Sequence, residues 1–297
     1  MYPHRPVLVE EVLTHLSIRP EGAYVDGTMG SGGHAEAILG RLHGGGRLIG
    51  VDRDAQILAL AKERLQGSDR RVDFCHGNYA DLKRHLDVLG LEKVDGVVLD
   101  LGLSSLQLDQ GERGFSFSKP ARLDMRMDPE QELTAEDLVN DRSEQELADL
   151  IYLWGEERFA RRIARTIVKQ RSQGRITMTT ELADIVARAV PSRGHAWRGR
   201  IHPATRTFQA LRIAVNQELD HLKDFLASYP DMLNPQGRVV VISYHSLEDR
   251  LVKHTFRDQA KRGVVSLVVK RPLIPSEQEQ QENPRSRSAK LRVAERL

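Results

Sequence analysis

The 297-residue chain contains a single cysteine, Cys75. That excludes an internal disulfide framework and a paired-cysteine metal site. A lone thiol suits a reducing compartment. No apolar run approaches the ~20 residues needed to cross a bilayer, and the first residues carry no apolar signal core. A cytoplasmic protein that spans no membrane is expected. Internal repeats are missing, and so is any large imbalance of charge. The 44 Lys and Arg residues face 42 Asp and Glu, a net of +2, so local charge must identify the partners. No G-x-S-x-G elbow appears, which removes the obvious serine-hydrolase arrangement. The histidines lack the paired spacing of metal ligands, and no metal is expected.

Five apolar segments read as strands with helical segments between them. They are Ala23 to Asp26, Arg47 to Val51 ending in Asp52, Val72 to His76, Val94 to Leu99 ending in Asp100, and Arg238 to Ser243. Near-continuous apolar runs suit strands buried on both faces. Alternation with helices such as Asp54 to Gln66 predicts an α/β fold with a doubly wound, mostly parallel sheet. Val264 to Lys270 and Leu291 to Ala294 could add a hairpin at the sheet edge.

The spacing breaks once, between the fourth strand and Arg238. So long a gap is not a structureless loop in a compact protein. Helical patterns at Ala135 to Val139, Glu144 to Trp154, Glu156 to Arg171 and Thr179 to Ala189 predict an inserted all-helical domain over residues 110–205. Residues 1–109 and 206–297 then form the sheet domain. A long helix from Arg206 to Tyr229 is expected to lead back through Asn234-Pro235-Gln236-Gly237.

The first strand runs into Asp26-Gly27-Thr28-Met29-Gly30-Ser31-Gly32-Gly33-His34 and then a helix. Glycines let a ligand approach the backbone, and a helix start offers free N–H groups. A carboxylate closing the strand disfavours a pyrophosphate. It suits a ligand with a positive amino group, such as S-adenosylmethionine. Gly30-x-Gly32-x-x-Ala35 also fits the dinucleotide fingerprint, so a nicotinamide-dependent dehydrogenase remains a competing reading. Asp52 fits either cofactor as a ribose ligand, or is an ordinary helix cap.

Ligands of open α/β sheets sit at the carboxyl ends of strands. Asp100 occupies such an end. It could accept a hydrogen bond from an exocyclic amine, contact a cofactor amino group, or cap a helix. His245, after the fifth strand, either faces a substrate pocket or is structural in a strand-end turn. Asp100 and His245 are the catalytic candidates. Arg113, Phe115, Phe117 and Arg126 combine cations with rings in a loop beside the same edge that could stack and position a base, and Phe115 and Phe117 could, instead or as well, anchor the insert to the core. Cys75 would serve a carbon-5 pyrimidine methylation, but its place inside a strand favours packing.

The insert is asymmetric in charge. Gln110 to Trp154 holds 5 basic and 11 acidic residues, whereas Gly155 to Arg206 holds 12 basic and 4 acidic. Arg158, Arg161, Arg162, Arg165 and Lys169 lie on adjoining turns of one helix. The loop Ser192 to Arg200 adds Arg198 and the indole of Trp197. Together with Arg206 these residues suit phosphate contacts and stacking, which points to a nucleic-acid partner or to a solvated basic face. Pro284 to Leu297 adds 5 basic residues against one acidic.

Several segments recur in one known family. They are Asp26-Gly27-Thr28-x-Gly30-x-Gly32-Gly33-His34, Asp100-Leu101-Gly102-x-Ser104-Ser105-x-Gln107, Arg113-Gly114-Phe115-Ser116-Phe117 and Leu123-Asp124-Met125-Arg126-Met127-Asp128. To these are added His202 through Ala210, Ser246-Leu247-Glu248-Asp249-Arg250 and Glu282-Asn283-Pro284-Arg285-Ser286-Arg287-Ser288. Nearly end to end, the chain resembles the RsmH (MraW) family of bacterial methyltransferases. The resemblance implies a Rossmann-like class I methyltransferase domain interrupted by a helical substrate-recognition insert. It implies S-adenosylmethionine-dependent methylation at the exocyclic N4 of a cytosine in the decoding centre of 16S ribosomal RNA, with the RNA or the small subunit as partner. Cofactor contacts would fall on Gly32, Gly33, His34, Asp52, Tyr79, Asp100 and Gln107. Tyr79 stands where the family often has Phe, and Leu106 where Pro is usual. The Asp-Pro-Pro-Tyr motif of DNA amino-methyltransferases is absent, so their catalytic geometry does not carry over. A non-catalytic, RNA-binding ribosome-assembly factor is the alternative from another class.

Overall fold

The computed structural model describes residues 6–66, 71–104, 107–108, 111–191 and 202–297. Among them, seven strands form one sheet in the order β3-β2-β1-β4-β5-β7-β6. The strands are β1 (Ala23–Asp26), β2 (Arg47–Asp52), β3 (Arg71–His76), β4 (Val94–Asp100), β5 (Leu233–Ser243), β6 (Val265–Leu267) and β7 (Lys290–Arg296). The first five run parallel; β7 joins β5 antiparallel and carries β6 on the outside. The doubly wound, mostly parallel sheet expected from the apolar runs is present. The two late candidate strands form its antiparallel edge, with β6 shorter than the run Val264 to Lys270.

The strands read as continuous apolar runs because both faces are covered. Side chains alternate across a strand. Val97 and Leu99 join a core with Val25, Ile49, Val51, Val239 and Val241, against Leu82, Leu86, Phe225, Leu226 and Tyr229 of flanking helices. Val98 points the other way, into a core with Tyr24, Leu48, Val240 and Ile242, against Val12, Leu16, Ile38 and Leu39. Each such aliphatic side chain contributes about 1.5–3 kcal/mol by leaving water. β1 and β2 also approach closely at one point. A Cβ on Gly50 would lie 2.1 Å from Met29 Sδ, so a larger residue there would push the Met29 side chain aside.

The chain divides into two compact units, Met1–Ser104 with Leu219–Leu297, and Ser105–Glu218. The first holds the sheet. The second holds the helices Ala135–Asp141, Glu144–Gly155, Ala160–Arg171, Thr179–Ala189 and Ala204–Asn216. Thr134 and Ser143 start two of these helices with reciprocal capping boxes, to Asp137 and Glu146. The helix expected from Glu156 begins only at Ala160, because Glu156 turns left-handed at φ 49°.

The single helix expected from Arg206 to Tyr229 is instead two, Ala204–Asn216 and Glu218–Met232. Gln217 breaks it with φ 50°. The cause is Asn216, fully buried within the helical unit. Its Nδ2 donates to the carbonyls of Met125 and Arg212 at 2.8 and 2.9 Å, and its Oδ1 accepts from Met127 N at 2.7 Å. A forked pair from Arg212 to Glu218, both bonds 2.9 Å, staples the break. The helix Ala204–Asn216 therefore belongs to the helical unit. The Asn234-Pro235-Gln236-Gly237 segment lies inside β5, where the register to β4 shifts between Val94 and Gly96.

In this strand order β1 has β2 on one side and β4 on the other. The winding reverses there, and the crevice beyond the carboxyl ends of β1 and β4 is the natural ligand site of such a sheet. Asp26 and Asp100 end those two strands.

Candidate active site at the ends of β1, β2, β4 and β5

The turn after β1 is held from both sides. Gly27 N donates to Val98 O and Met29 N to Val51 O, both at 2.9 Å. Thr28 Oγ1 accepts the backbone N–H of Asp100 at 2.6 Å, tying the turn to β4. Gly32 caps the helix Gly33–Leu39 at φ 85°, a left-handed conformation that glycine adopts without strain. Gly33 and His34 open that helix.

Asp26, His34 and Asp100 converge here. Asp26 is buried, and its Oδ2 has no hydrogen-bond partner among the described residues. Its Oδ1 takes only a long bond from Thr28 N, 3.3 Å. Burial pushes the Asp26 carboxyl up to about 7, with His34 and the Thr28 amide opposing and Asp100 and Asp52 adding to the rise. His34 is buried too, and its Nε2 lies 3.4 Å from Asp100 Oδ2. Burial alone would lower its pKa, but Asp100 and Asp26 together raise it. A buried carboxylate with an unused oxygen is costly unless a donor meets it. A ligand carrying a positive amino group supplies one, which is the fit expected of S-adenosylmethionine.

Asp52 is not a helix cap. Asp54 caps the helix Ala55–Arg64, accepting from Gln56 N and Ile57 N. The Asp52 oxygens accept Gly30 N at 2.7 Å and Asp54 N at 2.9 Å, so this carboxylate braces the glycine turn. Burial raises it to about 6 despite those two bonds. Each oxygen retains a second lone pair for a ribose hydroxyl. Tyr79 begins a short 3-10 turn after β3, capped by Asn78. Its half-buried ring stands edge-on to Phe225 with centroids 5.9 Å apart.

His245 is the N-cap of the helix Ser246–Lys261, its Nδ1 accepting Glu248 N at 3.3 Å while Glu248 accepts His245 N. The geometry favours the strand-end-turn alternative over the pocket-facing one. Its Nε2 lies 3.2 Å from Glu248 Oε1, so both ring nitrogens are turned to that residue. The preceding residue, Tyr244, has more to do with the site. Its hydroxyl donates to Asp100 Oδ1 at 2.7 Å. Burial, then the Asp100 charge, pushes its pKa well above the usual value, so it stays a neutral donor.

The helical unit holds the other candidates. Arg126 grips both oxygens of Asp124 at 2.8 and 2.7 Å and donates to the carbonyls of Pro129 and Gln131 at 3.0 and 2.7 Å. Arg113 donates to the carbonyls of Arg126 and Met127 at 2.9 and 3.1 Å. These two arginines knit their own loop. Phe115 is buried, and Phe117 packs on His202 and Phe208 with both centroid distances 4.8 Å, which is anchoring. Arg206 donates to Glu156 O at 3.0 Å and remains half-exposed. Arg158, Arg161, Arg162, Arg165 and Lys169 line the basic helix and its start, all on the solvent side. Gln107 is buried. Arg198 and Trp197 lie outside the described residues. Cys75 packs against the sheet core, and burial raises its thiol, making it a poor nucleophile.

The sequence does not single out Tyr244 or Thr28. For Tyr244 the signal is the pairing of Asp100 with Ile242 across β4 and β5, and for Thr28 that of Asp26 with Val98 across β1 and β4. No helix among the described residues is long and apolar enough to cross a membrane.

The comparisons with known proteins agree along the whole chain. The proteins named Ribosomal RNA small subunit methyltransferase H from Geobacter sulfurreducens and Pelobacter propionicus are 52% and 50% identical to it. Each alignment covers 100% of this chain and 99% of the other. The protein of the same name from Lachnospira eligens is 45% identical, covering 100% of this chain and 98% of its own. The family model described as the MraW methylase family matches residues 1–297, and the chain belongs to that family.

Proposed function

We propose that this protein transfers a methyl group from S-adenosylmethionine to the exocyclic N4 of a cytosine in small-subunit ribosomal RNA, acting in the cytoplasm. The observation that carries the reading is the unmatched Oδ2 of Asp26, buried beside a glycine turn at the switch point of the sheet. It calls for a cationic donor and opposes a pyrophosphate, which weighs against a nicotinamide cofactor. Family membership and the shared name of the relatives support the choice of reaction and of RNA.

The roles follow from the site. Gly32, Gly33 and His34 offer the backbone at the helix start. Asp26 meets the amino group, Asp52 accepts from the ribose, and the Tyr79 ring borders the adenine. Gln107 is a further cofactor contact by family likeness. The bound cofactor supplies an electrophilic methyl group. The amine of cytosine is a weak nucleophile, because its lone pair is shared with the ring. Alignment and a hydrogen-bond acceptor on the amine are what the protein must add. Asp100, ending β4, is that acceptor and takes the proton the amine loses. The helical insert holds the RNA through its exposed basic helix, with Arg198 and Arg206 as further phosphate contacts.

Incubation with methyl-labelled S-adenosylmethionine and undermethylated small subunits tests this. Label recovered in N4-methylcytosine is expected. Label in another nucleoside, or none despite cofactor binding, rejects the reaction. Thermal protection by a nicotinamide cofactor but not by S-adenosylmethionine rejects the cofactor.

A further inference from the structure

The two oxygens of Asp100 are treated unequally. Oδ1 accepts the Tyr244 hydroxyl at 2.7 Å, a full-strength bond. Oδ2 meets His34 Nε2 only at 3.4 Å, and that nitrogen makes no hydrogen bond among the described residues. The backbone N–H of Asp100 is fixed separately, on Thr28 Oγ1 at 2.6 Å. One oxygen is thus locked by a short hydrogen bond, and the other is held only by the longer His34 contact.

Tyr244 is itself built into place. Its backbone N–H donates to Glu248 Oε2 at 2.9 Å, and Glu248 is 2% exposed. The same carboxylate closes the capping box with His245. On the other side, Gly102 stands at φ 108°, and a Cβ there would come within 3.2 Å of Tyr244 Cδ2. A side chain at 102 would crowd the ring and strain the backbone. Capping box, buried glutamate and left-handed glycine all fix one phenol against one carboxylate oxygen.

We infer that Tyr244 is a positioning residue for methyl transfer: it holds Asp100 by Oδ1 so that Oδ2 faces the substrate amine. This rests on the reading of Asp100 as the amine's acceptor. In the step, the amine nitrogen forms a bond to the methyl carbon. The carbon–sulfur bond breaks with its electron pair going to sulfur, and the nitrogen loses one proton to Asp100 Oδ2. Tyr244 keeps its own proton throughout. Its hydroxyl restrains the carboxylate from rotating and leaves Oδ2, beside His34, as the oxygen for the amine, a contribution made through orientation.

The test is Tyr244→Phe, which removes one hydroxyl and keeps the ring. Single-turnover methyl transfer to small subunits is measured beside cofactor affinity by calorimetry and the melting temperature. The expected result is a methyl-transfer rate roughly 10- to 100-fold lower, with cofactor affinity and RNA KM within about twofold of the parent. Cofactor affinity on the same sample also reports a folded pocket. Asp100→Asn and the double variant complete a cycle. In the Asp100→Asn background the loss of the Tyr244 hydroxyl should cost less than about threefold, because the two act as one unit. An unchanged rate in Tyr244→Phe, a loss confined to cofactor affinity, or simple multiplication of the two effects overturns the inference. If Asp100→Asn alone leaves methyl transfer intact, the acceptor reading of Asp100 falls as well, a distinct result.

Discussion

The carboxylate of Asp52 accepts the backbone N–H of Gly30 at 2.7 Å, so the end of β2 clamps the glycine turn that follows β1. One residue thereby shapes the backbone cradle, and the proposed ribose contact falls on the same carboxylate. Asp52→Ala is expected to weaken S-adenosylmethionine binding by about 100-fold or more, roughly 3 kcal/mol. Asp52→Asn, which keeps one acceptor, should lose less. Calorimetry that finds equal affinity in Asp52→Ala and the parent defeats the ribose role.

Asp26 makes the ligand-free protein sensitive to pH. Its carboxyl titrates at about 7 in the fold and at the ordinary 3.8 when unfolded. Between those values the folded chain binds more protons than the unfolded one, so stability falls as pH rises through the window. Complete ionisation costs roughly 4 kcal/mol. Asp26→Asn should flatten the dependence of melting temperature on pH between about 4 and 8 and raise the melting temperature at the alkaline end. It should also bind the cofactor more weakly. A variant that melts like the parent at every pH contradicts the burial of that charge.

His245 is expected to matter for folding more than for chemistry. His245→Ala should cost about 1 kcal/mol, as loss of a helix cap does. His245→Asn supplies another good cap and should recover both stability and methyl transfer. Restored melting with methyl transfer still lost would return His245 to the reacting groups.

Arg126 is the hub of its loop, and lysine cannot reproduce its fork. Arg126→Lys should destabilise the helical insert by about 1–3 kcal/mol. Faster limited proteolysis within residues 111–135 is the readout. A variant as resistant as the parent would mean that the bonds to Asp124, Pro129 and Gln131 add nothing.

The solvent face of the helix Ala160–Arg171 carries Arg161, Arg162 and Arg165. Arg161→Ala combined with Arg162→Ala should weaken RNA binding and make the plot of log affinity against log salt shallower by about 1.5–2. Cofactor affinity should not change. A salt slope identical to the parent's would leave this face a merely solvated one.

Much of the sheet was legible because its strands are apolar throughout and end in acids. Asp26, Asp52 and Asp100 stood out for that reason. Tyr244 did not, since its partner Asp100 lies 144 residues away and only strand register brings them together. The break at Gln217 was hidden because the apolar periodicity runs on across it, while its cause, the bonding of Asn216, is tertiary. Arg113 and Arg126 looked like nucleic-acid contacts because composition cannot reveal that they also donate to local carbonyls and, for Arg126, to Asp124. The sequence leaves His245 open between pocket and turn because histidine is an unusual cap.

Neighbouring strands β4 and β5 are separated in the chain by everything from Leu101 to Met232. A nascent chain emerging from the ribosome therefore completes β3-β2-β1-β4 long before β5 exists, and β4 waits with its outer edge unpaired. Meanwhile the insert, Ser105–Glu218, is a compact unit of its own. Closing so long a loop is slow. The late arrival of β5 and β7 is the step at which this protein is most exposed to wrong partners, and where a chaperone or low temperature during expression should help most.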